Sequence, residues 1–191
     1  MHSAIHFSAR VAALIGGIVL VGLVVLTCVS VLGRGLVTLG YSDWLGQGLA
    51  DALLSTGVGP VSGDFELVEA GVAFAIFAFL PVCQLHGGHA TVNVFTDRLP
   101  LRANAWLVAF WEGLLALVIL LVTWRLSVGM MDKFANQETT FLLQFPVWWA
   151  YAASLAAAVV ASVTAIYCAW GRVVFALTGR SILPAGGAET G

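Results

Sequence analysis

Residues 11–32 read VAALIGGIVLVGLVVLTCVSVL, an unbroken apolar run without a single charge. As a helix it would reach about 33 Å, slightly more than the ~30 Å hydrocarbon core of a bilayer. Arg10 before an apolar run is also how a secretory leader begins, but such runs are usually only ~7–15 residues long and end in an A-x-A-like site. This run is longer and no such site follows it, so it reads as a permanent helix over about 11–33.

Working outward, the same signal recurs three times. Residues 141–171 carry no charge and open with Pro146, Trp148, Trp149 and Tyr151, an aromatic crowding suited to a membrane interface. They predict a span over about 146–170. Residues 103–124 hold Glu112 as their sole charge, with Trp106 and Trp124 towards the two ends, and predict a span over 103–125. The shortest apolar run, 70–83, becomes long enough to cross when Phe65, Leu67 and Val68 are added, giving 65–85 with Pro81 near its far end.

The whole chain agrees with this reading. Of its 191 residues 60% are hydrophobic and 9% charged, whereas a soluble domain carries about 25% charged residues. The expected fold is an all-α integral membrane protein with one transmembrane domain over 1–180 and a mobile tail over 181–191. Eight basic residues are scattered without a cluster, which leaves no electrostatic footprint for nucleic acid. Cys28, Cys83 and Cys168 stand far apart, with no spacing that would hold zinc.

Lys and Arg placement sets the expected orientation. With both termini cytoplasmic, the inner segments carry Arg10, Arg98, Arg102, Arg172 and Arg180, against Arg34, Arg125 and Lys133 outside. Two connections carry amphipathic patterns. In 43–54, Trp44, Leu45, Leu49 and Leu53 fall at helical spacing behind Ser42 or Asp43 as N-cap. In 91–99, Val92, Phe95 and Leu99 share a face while Asn93, Asp97 and Arg98 point elsewhere, after a turn that Gly87-Gly88 permits. Both predict short interfacial helices.

Few residues could carry chemistry. Glu112 lies two to three turns into the third span, where an acid is costly and needs a partner; Thr27, Ser154, Ser162 and Thr164 are the available hydroxyls. A pathway role and a packing role stay equally open for it. Glu66 and Glu69 stand at i and i+3 at the start of the second span; they could bind a cation, but a solvated helix start favoured by the dipole suits Glu69 better. His2, His6, His86 and His89 all fall at segment ends, not in the bundle interior where haem ligands would sit. No G-x-S-x-G, H-E-x-x-H or phosphate-binding glycine loop occurs, so no enzymatic activity is expected. Gly16, Gly17 and Gly22, and the Ala/Ser-rich stretch 152–162, form small faces for close helix packing.

Residues 63–100, GDFELVEAGVAFAIFAFLPVCQLHGGHATVNVFTDRLP, resemble the signature region of the small membrane subunit of tripartite ATP-independent periplasmic (TRAP) transporters, the DctQ-like family. The likeness covers most of the chain: four spans, Glu66-Leu67 at the outer start of the second, a Gly-His turn before an amphipathic segment, and the polar stretch from Glu138-Thr139-Thr140 to Pro146 before the last span. The family commonly has an acid four residues after the turn histidine, where this chain has Asn93. The resemblance implies a small permease subunit in a bacterial inner membrane, partnered by a large membrane subunit and a periplasmic solute-binding protein. It implies uptake of an organic acid or similar solute on a sodium gradient, with ion sites in the large subunit and no cofactor or metal here. Glu66, His89 and Glu138 would then be structural or interface residues. Two other readings remain: a cytochrome b-like membrane anchor for electron transfer, and a small homo-oligomeric channel using Glu112.

Overall fold

The computed structural model describes residues 2–41, 59, 61–87 and 101–178. Within them lie four helices: α1 His2–Gly40, α2 Asp64–Leu85, α3 Leu101–Ala135 and α4 Trp148–Thr178. All four are long and apolar enough to cross a membrane, so the chain is an all-α, multi-pass membrane protein. The interfacial helices expected over 43–54 and 91–99 lie outside the described residues, as does the tail 181–191.

Three helices outrun the spans expected for them. α1 has 39 residues where 11–33 was expected, and α3 has 35 where 103–125 was expected. At 1.5 Å per residue they reach about 58 Å and about 52 Å, well beyond the hydrocarbon core. The reason is that charge stops a membrane span but not a helix: Arg10, Arg34, Arg125 and Lys133 leave the backbone ladder intact. α4 runs to Thr178 instead of 170, and it starts at Trp148 instead of 146. Pro146 is drawn out of the helix by an antiparallel bridge to Thr139, although its carbonyl still accepts from Trp149 N–H at 3.1 Å.

The packing order is α1–α2–α4–α3. α2 and α4 are central and run in the same direction, since the start of α4 and the start of α2 share one end and Leu85 meets Cys168 near the other. α1 and α3 flank them and run opposite. We call the end that holds the α1–α2 and α3–α4 connections the hairpin end, and the other the terminal end.

Small residues let the backbones approach, as membrane helices without a hydrophobic drive between them require. On α4, Ala157, Ala158, Ala161 and Ala165 are buried, and Ala161 and Ala165 pack on Ala116 and Ile119 of α3. Gly16 of α1 meets α2 closely enough that a Cβ there would sit 2.9 Å from the Ala78 methyl. Gly17 and Gly22, read as part of the same face, border open space. Thr123 of α3 and Ser162 of α4 share a hydrogen bond of 2.8 Å between their hydroxyls. The flanks remain apolar and open: Ile18, Val21, Val25 and Leu32 on α1, and Phe110, Leu117, Leu121 and Trp124 on α3, are all exposed.

Candidate functional site

Among the described residues, the densest polar construction is at the hairpin end. The segment between α3 and α4 folds back on itself: Thr140 N–H donates to Phe145 O at 3.0 Å, and Val147 N–H to Glu138 O at 3.0 Å. Gln137 and Gln144 adopt φ of 50° and 51° to make its bends, a conformation that costs a non-glycine residue energy and persists only where the surroundings hold it. Glu66 supplies the hold. From the first turn of α2 its Oε1 accepts from Leu142 N–H at 2.7 Å and its Oε2 from Leu143 N–H at 3.0 Å. A carboxylate receiving two backbone donors is the stronger, charge-assisted kind of hydrogen bond. Glu66 is only 7% exposed, so the bonds operate away from solvent.

The neighbouring residues fit the same purpose. Gly63 precedes α2 at φ 79°, and a Cβ there would stand 2.6 Å from Leu143 Cγ. Only glycine allows both the left-handed turn and the approach of that side chain. Asp64 ties α1 to α2: its Oδ2 accepts from the Ser30 hydroxyl and from Arg34 at 3.1 Å, with Ser30 fully buried. Lys133, in the last turn of α3, donates to Glu138 Oε2 at 2.6 Å. Glu138 lies beyond the helix, and the hydrogen bond and charge of Lys133 hold its carboxyl below the ordinary value despite partial desolvation.

The structure thus gathers Glu66, Glu138 and Pro146 around one folded segment, and adds Ser30, Arg34, Gly63 and Asp64, which sequence reasoning had not singled out. A signal existed for one pair: Arg34 and Asp64 are opposite charges bordering the same connection. Glu69 does not join them; it is exposed, turned away from the buried Glu66 despite the i, i+3 spacing. Among the described residues no three His, Cys, Asp or Glu side chains converge on one point. His89, Asn93, Asp97 and Arg98 lie outside the described residues.

The buried Oε2 of Glu112 has no hydrogen-bond partner, and three of the four hydroxyls offered to it are engaged elsewhere. Thr27 donates to Leu23 O at 2.6 Å, Thr164 to Val160 O at 2.9 Å, and Ser162 pairs with Thr123. Threonine and serine in a helix reach their own preceding turn more readily than another helix. Cys168 of α4 stands within electrostatic reach of both Glu112 and Arg172. Arg172 Nε and both amide atoms of Gln84 are also buried without partners. Gln84, 2% exposed, was missed because it sits just beyond the apolar run 70–83 and passed for its boundary.

Of the histidines, His6 and His86 lie at the terminal end, where both border one groove between α1 and α2. His86 Nδ1 donates to Val82 O at 3.0 Å.

A family model described as tripartite ATP-independent periplasmic transporters, DctQ component, matches residues 23–175. Searches of curated proteins and of solved structures returned no match. The matched region takes in α2, α3, the folded segment, most of α4 and the part of α1 from residue 23 onward, and the chain belongs to the DctQ family, the small membrane subunits of TRAP transporters.

Proposed function

We propose that this chain is the scaffold of its transporter, holding a large membrane subunit in place while that subunit moves the solute. One observation supports the reading above the others: Ser30, Asp64, Glu66 and Glu138 at the hairpin end, and Thr123 and Ser162 deeper in the bundle, are taken up by bonds within the chain, not presented to a cavity. Asp64 and Glu66 bind Ser30, Arg34 and the backbone of 142–143; Thr123 and Ser162 bind each other. A solute site needs convergent polar groups left available.

What the chain does offer is apolar surface on its flanking helices and at the tip of the folded segment, where Phe141 is 89% exposed. On this reading that surface meets lipid and the large subunit. A periplasmic binding protein delivers an organic acid or similar solute, and sodium coupling resides in the large subunit, with no cofactor in this one. The subunit sits in the bacterial inner membrane with both termini cytoplasmic, which puts the hairpin end on the periplasmic side.

Affinity purification of the tagged chain in a gentle detergent tests this. A larger polytopic membrane protein should co-purify in fixed ratio, and liposomes holding this chain alone should show no solute or ion flux. Recovery of the chain by itself, or flux without a partner, would overturn the scaffold reading.

A further inference from the structure

At the terminal end, α1 and α2 part to leave a groove of about 290 Å³. Three of its lining residues are His6, Arg10 and His86; the other four are Ala13, Leu14, Val82 and Leu85. The two sets are ordered along the membrane normal. On α1, His6 and Arg10 are one turn apart, and Ala13 and Leu14 continue that face one turn deeper. On α2 the sequence is reversed, with Val82 and Leu85 coming before His86 at the helix end. The groove therefore runs from cationic at the membrane surface to apolar towards the bilayer centre, with no carboxylate among its lining residues.

Arg10 joins no ion pair among the described residues. The two ion pairs among the described residues, Arg34–Asp64 and Lys133–Glu138, are both at the opposite end of the bundle. His86 uses Nδ1 to donate to Val82 O, which fixes the ring beside the groove.

We propose that this groove binds an anionic phospholipid from the leaflet at the terminal end. Its phosphate rests against Arg10 with His6 and His86 beside it, and the upper part of one acyl chain lies along Ala13, Leu14, Val82 and Leu85. Cation above and apolar wall below match the order of a phospholipid read from headgroup to chain. A free phosphate would use the rim alone and leave the wall bare. The volume suits the glycerol-phosphate region and a few methylenes, with the remaining chain left in the bilayer.

The test is native mass spectrometry of the full purified chain in detergent micelles, titrated separately with dioleoylphosphatidylglycerol, dioleoylphosphatidylcholine and inorganic phosphate. The anionic lipid should be retained at least about fivefold better than the zwitterionic lipid of identical chains, the factor expected of one cation near an anionic headgroup. Inorganic phosphate should not displace it. Arg10→Gln should lower retention about fivefold, and Arg10→Lys should stay within about twofold of the parent. Ala13→Trp, which fills the wall and keeps every cation, should lower retention as well. Equal retention of the two lipids by the parent chain overturns the proposal, a result that needs no variant to fold. So does displacement by inorganic phosphate, which would mark a free-anion site, or unchanged retention in Arg10→Gln or Ala13→Trp.

Discussion

Glu66 and Gln84 stand on the same helix, about 27 Å apart along its axis, and both are buried, at 7% and 2% exposure. Both oxygens of Glu66 accept backbone hydrogen bonds; neither amide atom of Gln84 has a partner. The two differ in what reaches them. At the hairpin end a chain segment with spare N–H groups folds over the carboxylate, whereas no hydrogen-bonding group among the described residues reaches the Gln84 amide. Burial alone thus says little about whether a polar group stabilises this fold.

The largest effect is expected at Glu66. Glu66→Ala would leave Leu142 and Leu143 N–H unpaired, so their amide exchange should rise by roughly tenfold or more, with Glu66→Gln, which keeps one acceptor, in between. Unchanged exchange at these two amides would break the comparison from the hairpin side. Next comes Gln84→Met, which removes two orphaned polar atoms at similar volume. The chain purified alone should gain about 1–2 kcal/mol in unfolding experiments in micelles; a loss would show that the amide has a partner after all.

Thr123→Val probes a polar contact between the two ends and should cost about 0.6 kcal/mol, the average for hydrogen bonds between membrane helices. The smallest effect concerns Glu138. Its carboxyl is held below the ordinary glutamate value of 4.5, so the Lys133 pair contributes stability above that value and loses it as pH falls through the lowered one. The stability gap between the parent and Lys133→Met should therefore close as pH drops below about 4.5 and narrow in high salt, because the Glu138 side chain is 41% exposed.

The four spans were legible because lipid imposes a length and a composition that residues 11–32 and 141–171 display openly. Helix ends were not. Hydropathy ends at Arg34 and Arg125, but hydrogen bonding carries α1 on to Gly40 and α3 on to Ala135. At the hairpin end the family resemblance pointed to Glu66, Glu138 and Pro146, yet no pattern could say what Glu66 holds, because its partners are backbone N–H groups and those look alike at every position. Glu112 illustrates the converse: its acid in an apolar run was plain to see, but Thr27 and Thr164, two of the hydroxyls offered to it, turned to their own helices.

The hairpin end is completed by the chain's own atoms. Amide hydrogen exchange on the purified subunit, without any partner, measures this directly. Leu142 and Leu143 should exchange as slowly as the first turns of α2. Exchange at the rate of an unstructured peptide would contradict it, since the Glu66 bonds would then not form in the subunit alone.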